Sequence, residues 1–398
     1  MSITRPEQKS GRPVLSLMSG MLAGLVLGAP AQASFNPLSG PILTAPAVPP
    51  NVVMLFDNSS SMVLNRIGNQ TRLTIARDAA KRLIGNNRHV RFGLFGFRDS
   101  VIHAGMPDAP GGQMLVEVGD IGPGSLAGDA RFNALINSLD AISPAAAPPY
   151  TYTPLAESYY EITRYMRGLR AYYPQSAAQA QRLQFVSPVQ YRCQRNFGLV
   201  ITDGLPAYDS EFPTDVSDDP DIDNPQVAGS TNLPDWDGDA LGDVVSADLG
   251  DEGSTFYLDD IARFAFDTDM RNTARAGVST DLAGQDWDDP AFPIQNMRTY
   301  TVGFALNDAR LQRTATGAGG RYFTAANSQE LDHALGSALA EINSAPGSGG
   351  GAVVGGPELT AGSRFYRTRY DPADWSGAVE AYPLGSSGRI GQWIWSTD

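Results

Sequence analysis

A cluster of oxygen-bearing side chains directly follows a strongly apolar run. The run covers residues 52–56, and Asp57, Ser59 and Ser61 follow it in a D-x-S-x-S spacing. An unbroken run of β-forming residues predicts a strand that is buried on both faces. In an open α/β sheet, ligands bind outside the carboxyl ends of the strands, where the loop leaving this strand lies. One carboxylate and two hydroxyls are hard oxygen ligands that suit Mg²⁺ or Mn²⁺.

Two further loops place oxygen ligands at the ends of elements. Thr153 stands in a Thr-Pro-Leu sequence that opens a helix, and Asp203 stands in an Ile-Thr-Asp-Gly sequence that ends a strand. A second interpretation is that Asp57 and the serines only cap the first helix, because Ser and Asp are common capping residues. The D-x-S-x-S spacing alone is weak, whereas all three loops together predict a metal site.

Strand-like segments alternate with amphipathic segments between residues 51 and 343. Asn327 and Glu330 have the spacing of a capping box before the last helix. This alternation predicts an α/β fold with a doubly wound, mostly parallel sheet and helices on both faces. The helical segments lie at about 73–84, 132–139, 155–166, 257–266 and 331–342, and the later strands at about 90–94, 197–202 and 299–304.

The three loops resemble the metal-ion-dependent adhesion site (MIDAS) of von Willebrand factor A domains, and the resemblance covers residues 51–343. It implies that Ser59, Ser61 and in some cases Thr153 bind the cation directly. Asp57 and Asp203 would bind it directly or through water. Because hydroxyl ligands are neutral, such a site leaves the cation under-neutralised, and an acidic group of a protein ligand would complete its coordination.

Four segments of the sequence, at 191–204, 258–271, 298–304 and 365–382, resemble the PilY family of type IV pilus tip adhesin and assembly proteins, and the first of them includes Asp203. This narrower resemblance implies a pilus-associated adhesin and pilus biogenesis factor whose partners include minor pilin components. Most of the β-propeller of that family is absent, and any role that needs it cannot be read from this sequence. The segments are YRCQRNFGLVITDG at 191–204, LDDIARFAFDTDMR at 258–271, RTYTVGF at 298–304 and FYRTRYDPADWSGAVEAY at 365–382.

The first 33 residues have the pattern of a secretory signal peptide. A basic region with Arg5, Lys9 and Arg12 precedes an apolar region, and Ala31-Gln32-Ala33 is a small-x-small cleavage site. We expect Sec export to the periplasm and then placement at the outer membrane, pilus tip or cell surface. A retained membrane anchor is the weaker alternative, because the apolar run is shorter than the roughly 20 residues that span a bilayer. A Pro-rich lead-in occupies residues 34–50.

The net charge of −14 argues against nucleic acid and anionic membrane surfaces as partners. The single cysteine, Cys193, cannot form an intrachain disulfide. It is either a buried small hydrophobic residue, or a residue whose partner lies outside this sequence.

A long acidic insertion at about 205–297 contains a second oxygen-rich cluster. Asp235, Asp237, Asp239 and Asp243 are spaced like the start of a Ca²⁺ loop, although the Gly and Glu that an EF-hand needs are replaced by Ala240 and Ser246. An unusual Ca²⁺ loop and a merely solvated acidic loop are both open. A nearby group of carboxylates is expected to be solvated: Asp218, Asp219, Asp221 and Asp223.

The C-terminal part has a different composition. Residues 344–357 are rich in Gly and Ser and predict a flexible linker. Residues 358–398 carry short alternating segments that predict the first strands of an incomplete β-propeller domain.

Catalytic patterns are weak in this chain. The three histidines, His89, His103 and His333, lack metal-ligand spacing. No G-x-S-x-G sequence or phosphate-binding Gly-rich loop is present. We therefore expect a secreted metal-dependent binding module and no enzyme. The alternatives are a non-adhesive pilus assembly factor, a generic secreted binding protein of the von Willebrand A type, or a metal-dependent hydrolase.

Overall fold

A computed structural model describes most of the chain between residues 48 and 396. The described residues are 48–97, 111–142, 153–173, 183–207, 209–223, 233–236, 238, 244–246, 254–290, 292–344, 352–354, 364–371, 376–383 and 394–396. The predicted signal peptide and most of the Pro-rich lead-in lie outside them.

Strands and helices alternate along the described chain. The first half contains β1 (Asn51–Phe56), α1 (Ser60–Leu64), β2 (Arg66–Ile67), β3 (Gln70–Thr71), α2 (Arg72–Asn86), β4 (Arg91–Phe97), β5 (Gly112–Gly119), α3 (Leu126–Ala141), α4 (Leu155–Arg167) and β6 (Asn196–Thr202). The second half contains β7 (Val244–Ser246), β8 (Ser254–Thr255), α5 (Leu258–Asp267), α6 (Thr273–Ala276), β9 (Met297–Phe304), α7 (Ala309–Gly317), β10 (Tyr322–Ala325), α8 (Ser328–Ser344), β11 (Ala352–Val354), β12 (Arg364–Asp371), β13 (Ser376–Pro383) and β14 (Trp395–Ser396).

A six-stranded sheet forms the centre of the fold, with its strands in the order β10-β9-β6-β1-β4-β5. Every neighbouring pair is parallel except β4 and β5, which pair antiparallel at one edge. From β1 the chain first fills one side of the sheet and then returns to β6 on the other side. A crevice therefore opens beyond the carboxyl ends of β1 and β6. This arrangement confirms the predicted doubly wound α/β fold.

Two apolar cores cover the two faces of the sheet. Successive side chains of a strand point to opposite faces, so Val52, Met54 and Phe56 enter one core while Val53 and Leu55 enter the other. Helices α2, α3 and α8 pack in the first core, and α4, α5 and α7 in the second. All six residues of β1 are buried as a result, which explains why its sequence is apolar without alternation.

All the helices and strands predicted between residues 51 and 343 are present; most are longer than the pattern gave, and α5 is shifted by one residue. The capping box is confirmed, because the backbone N–H of Glu330 donates to Asn327 Oδ1 at 3.0 Å. Helix α2 continues beyond the predicted residue 84, through Gly85, to Asn86. The elements outside the prediction include strands β5 and β10, the β2–β3 hairpin and helix α7.

The acidic insertion packs on the sheet domain. Phe212, Ile222, Trp236 and Phe256 contribute to the second core, and α5 lies within the insertion. The insertion is therefore built around apolar anchors as well as acidic residues.

The expectation that Asp219 and Asp221 are solvated is wrong. Arg167 donates two hydrogen bonds of 2.7 Å to the two carboxylate oxygens of Asp219, and both side chains are fully buried. Asp221 Oδ2 accepts from Arg167 and from Arg275 at 2.6 Å each. The arginines come from α4 and α6, distant in sequence, so spacing within the acidic segment could not reveal them. Asp218 and Asp223 are exposed as expected.

The described C-terminal strands form a separate four-stranded antiparallel sheet in the order β11-β12-β13-β14. Strand β11 lies inside the segment predicted to be a flexible linker, so residues 352–354 correct that prediction. Assignment of this sheet to a β-propeller stays a prediction.

The start and the end of the sheet domain meet at Arg195, at the edge opposite to the crevice. The N–H of Asn51 donates to the carbonyl oxygen of Arg195 at 2.9 Å, and Arg195 Nη1 donates to the carbonyl oxygen of Ile342 at 2.8 Å. Among the described helices, none combines the length and apolarity that crossing a bilayer requires.

Candidate metal centre

Asp57 lies at the carboxyl end of β1 and is completely buried. Its Oδ1 accepts a hydrogen bond of 2.8 Å from the N–H of Ser59, and its Oδ2 accepts one of 2.6 Å from Thr202 Oγ1. Asn58 Oδ1 accepts from the N–H of Phe97 at 2.8 Å and ties the loop to β4. The loop is thus fixed by both neighbouring strands of β1.

The two serines and Asp203 converge on the same crevice. Ser61 Oγ donates to Asp203 Oδ1 at 2.5 Å, and Ser59 Oγ lies 2.9 Å from Ser61 Oγ. Asp203 directly follows β6, so the parallel pairing of β1 and β6 brings the two loops together. The other carboxylate oxygen of Asp203 accepts from Arg72 Nη1 at 2.8 Å.

Thr153 approaches the same crevice from the residues before α4. A Cβ atom built on Gly204 would lie 3.5 Å from Ser61 Oγ and 4.0 Å from Thr153 Oγ1, so both hydroxyls face the space beside this glycine. The carbonyl oxygen of Thr153 accepts from the N–H of Ala207 at 3.2 Å. The buried Asp209 accepts from the N–H groups of Ala156 and Glu157 at 2.8 Å each, which fixes the start of α4.

The electrostatics of the site oppose two ionised carboxylates. Burial, followed by the negative charge of Asp203, raises the pKa of Asp57 to about 6, although hydrogen bonds from Ser59 and Thr202 act in the opposite direction. A cation in the crevice would remove this penalty, because it would neutralise both carboxylates.

The donor set fits a hard divalent cation. Asp57, Ser59, Ser61 and Asp203 form one hydrogen-bonded cluster, Thr153 faces it, and all five offer oxygen atoms. Within the described parts of the chain, no three His, Cys, Asp or Glu side chains group as a metal site. The candidate donor set is two carboxylates and three hydroxyls, and the binding of a metal by it stays a prediction.

The alternative in which these residues only cap the first helix fails for Ser59. Ser59 is the N-terminal capping residue of α1 by position, yet its side chain makes no capping hydrogen bond. Its hydroxyl contacts Ser61 instead.

Of the four carboxylates in the second, acidic loop, the structure describes only Asp235. Asp235 Oδ1 accepts from the N–H of Gly238 at 2.9 Å, as in a simple turn. Asp237, Asp239 and Asp243 lie outside the described residues, so the Ca²⁺ loop stays a prediction.

Three residues that shape the centre were missed by sequence reasoning. The sequence pattern places Thr202 only in a strand, leaves Arg72 just before the helix predicted at 73–84, and places Asp209 only in the acidic insertion. The only sequence signal for Thr202 is its position directly before Asp203. Two consecutive residues at the end of a strand can both reach the loop of a neighbouring strand.

Comparison with known proteins finds similar solved structures at low identity. The von Willebrand factor type A protein of Catenulispora acidiphila is 10% identical with a TM-score of 0.38, over 89% of this chain and 66% of that chain. The PilB minor pilin of Streptococcus sanguinis is 13% identical with a TM-score of 0.38, over 78% and 65%. The pilus adhesin SpaC of Lactobacillus rhamnosus GG, in its open conformation, is 12% identical with a TM-score of 0.40, over 86% and 38%.

These likenesses carry no argument about function, because their identities and TM-scores are too low. No protein-family model and no curated protein matches the sequence.

Proposed function

We propose that this chain is an exported, metal-dependent binding module of the von Willebrand A type. The main support for this proposal is that oxygen-bearing side chains converge at the carboxyl ends of β1 and β6. They are Asp57, Ser59, Ser61 and Asp203, and Thr153 faces them. Mg²⁺ or Mn²⁺ is the proposed cation, and when bound it supplies a positive centre that attracts an acidic group of a protein ligand. We propose binding and no catalysis.

The proposed setting is a type IV pilus, where the chain would act as a tip-associated adhesin and biogenesis factor. The support is the resemblance of the segments at 191–204, 258–271, 298–304 and 365–382 to the PilY family. The first of these contains β6 and Asp203, so the resemblance includes part of the candidate site.

An assembly factor without adhesive function is the second candidate. Arg72 already pairs with Asp203, so one carboxylate of the site is compensated by the chain itself. A binding assay on cells with the purified mature chain, with and without chelator, separates the two. Binding that chelator abolishes supports the adhesin, and absence of binding under both conditions supports the assembly factor.

Replacement of Asp57 by Ala tests the metal site. We expect calorimetric titration of Mn²⁺ into the mature protein to give one saturable site, and the Asp57→Ala variant to give none. The circular dichroism spectrum should stay the same, because the three donors that would lose Asp57 as their acceptor cost only about 1–3 kcal/mol each.

Asp78→Ala is the matched control, since it removes an exposed carboxylate on α2 outside the site. Wild-type affinity in the Asp57→Ala variant would reject the site assignment. Binding of Ca²⁺ alone would direct attention to Asp235 and the residues after it.

A further inference from the structure

The chain between Ser61 and α2 folds back on itself and returns Arg72 to the candidate site. The N–H of Asn65 donates to the carbonyl oxygen of Ser61 at 3.0 Å, and the N–H of Arg72 donates to the carbonyl oxygen of Asn65 at 3.1 Å. The β2–β3 hairpin closes between these two hydrogen bonds. Arg72 is therefore held beside the metal loop, eleven positions after Ser61 in the sequence.

The Arg72 guanidinium contacts a carboxylate that belongs to the candidate donor set. Arg72 Nη1 donates to Asp203 Oδ2 at 2.8 Å and lies 3.5 Å from the carbonyl oxygen of the same residue. The Asp203 side chain is fully buried, and the Arg72 side chain is 19% exposed, so the pair is largely shielded from water. Arg72 thus neutralises one of the two carboxylates.

The position of Arg72 is unfavourable for the helix that it begins. It is the first residue of α2, whose first turn contains no acidic residue. The N-terminus of a helix carries partial positive charge and disfavours a cation. In addition, Arg72 Nε is buried and has no hydrogen-bond partner among the described residues. Neither the helix nor a complete set of hydrogen bonds accounts for the guanidinium; the pair with Asp203 does.

We propose that Arg72 is an internal counter-cation that competes with the divalent metal for Asp203 and thereby sets the metal affinity of the site. This inference rests on the proposed metal-binding function. With Arg72 in place, the two carboxylates leave one negative charge in excess in the metal-free protein. With a divalent cation the excess becomes one positive charge, which a single carboxylate of a ligand would neutralise. Arg72 thus keeps the metal-free site stable and ties tight metal binding to the presence of an acidic ligand.

Neutral variants of Arg72 test the competition. We expect Arg72→Met to bind Mn²⁺ at least about tenfold more tightly than the wild type in calorimetric titration, because removal of a nearby positive charge lowers the cost of adding another. Its melting temperature in EDTA should fall, since Asp203 would be left buried without its partner. A merely structural role for Arg72 would lower the melting temperature and would not raise the metal affinity.

Two further variants keep the test decisive. Arg72→Gln is also neutral but can still donate to Asp203, so it covers the case in which Arg72→Met does not fold, and it too should bind Mn²⁺ more tightly. Arg66→Met is the matched control, because it removes an exposed arginine of the same hairpin whose guanidinium contacts the carbonyl oxygen of Asn69. Its Mn²⁺ affinity should stay within about twofold of the wild type, as screened surface charges interact weakly.

The outcomes separate this inference from the proposed function. Mn²⁺ binding by the wild type with unchanged or weaker binding by both neutral Arg72 variants overturns the competition and leaves the metal site standing. Equal tightening in Arg66→Met would also overturn it, because the effect would then be general electrostatics. Absence of Mn²⁺ binding in all four proteins would reject the proposed metal site, and the competition with it.

Discussion

Both oxygens of the Asp57 carboxylate are occupied by groups that hold it in place. Thr202 Oγ1 donates to one oxygen at 2.6 Å, and the N–H of Ser59 donates to the other at 2.8 Å. Such outer partners orient the ligands of a metal site and influence its affinity without touching the ion. Thr202 is therefore a positioning residue of the candidate centre.

Removal of the Thr202 hydroxyl should weaken the site while keeping its shape. We expect Thr202→Val to reduce Mn²⁺ affinity by about 10–100-fold, the usual effect of losing an outer partner. The free energy of unfolding should fall by about 1–3 kcal/mol, because Asp57 Oδ2 loses its 2.6 Å donor and keeps only the longer bond of 3.4 Å from the N–H of Asp203. Thr202→Ser, which retains the hydroxyl, is the control. Equal Mn²⁺ affinities in the two variants would show that Thr202 does not position Asp57.

The sequence indicates which candidate donor residues lie together, but it does not indicate their partners. Asp57 and Asp203 could be placed together because both follow buried strands, and carboxyl ends of parallel strands meet at one edge. Arg72 could not be placed there, since its approach depends on the closure of a short hairpin whose two-residue strands leave almost no pattern. Asp209 was hidden in the same way by the many acidic residues around it.

At the scale of elements, α4 approaches β6 closely through a glycine. A Cβ atom built on Gly198 would lie 2.0 Å from the hydroxyl oxygen of Tyr159. That hydroxyl lies 2.6 Å from Thr299 Oγ1 of β9, so Tyr159 is held on both sides. The glycine therefore sets the distance between the helix that follows Thr153 and the strand that precedes Asp203.

Gly198→Ala should separate α4 from the sheet. We expect the free energy of unfolding to fall by about 1–3 kcal/mol, the usual cost of overpacking. Gly336→Ala is the matched control, because Gly336 is an exposed residue of α8 with open space at its Cβ position. That variant should gain about 0.5–1 kcal/mol from the lower entropy of alanine in the unfolded chain. Urea denaturation measures both, and a neutral Gly198→Ala would contradict the close packing.

Helices and strands can be predicted from the sequence where buried apolar residues repeat at regular spacing. Where this spacing is irregular, they cannot. Helix α8 repeats apolar residues at helical spacing and carries its capping box, so the pattern predicts it within a few residues of its ends. Strand β5 lies in a Gly-rich region, and its pairing with β4 contains register shifts that break the alternation of side chains. The insertion was recognised by its acidity, but its apolar anchors are scattered and become a core only against α4 and α5.

At the scale of the whole molecule, some buried acidic groups stabilise the fold more at low pH, and others stabilise it more at high pH. Burial raises the pKa of Asp209 to about 7, and burial together with the charge of Asp209 raises the pKa of Glu157. Burial also opposes ionisation of Asp219, but the charge and hydrogen bonds of Arg167 outweigh it and hold the pKa of Asp219 well below its usual range.

The protein should be most stable in mildly acidic solution. A raised pKa favours the protonated form in the fold, so the contribution of Asp209 is complete below its unfolded pKa of 3.8 and is lost as the pH rises to about 7. A lowered pKa does the reverse, so the contribution of Asp219 is lost as the pH falls below 3.8. Each group changes the free energy of unfolding by at most about 1.4 kcal/mol per pH unit.

Urea denaturation in EDTA at several pH values checks this dependence. We expect higher stability at pH 5 than at pH 8, and a smaller difference in Asp209→Asn, which cannot ionise. A stability that rises between pH 5 and pH 8 would contradict the raised pKa of Asp209.

The position of β1 has a mechanical consequence. Its first residue contacts Arg195 at the amino ends of the parallel strands, and its last residue is followed by Asp57 at their carboxyl ends. Under the proposed function, a force between a ligand bound at the candidate metal loop and the chain that precedes Asn51 therefore acts along the length of a single strand. That strand is paired on both sides over all six of its residues. A force along it therefore shears the hydrogen bonds to β4 and to β6 at the same time, and both sets must break together.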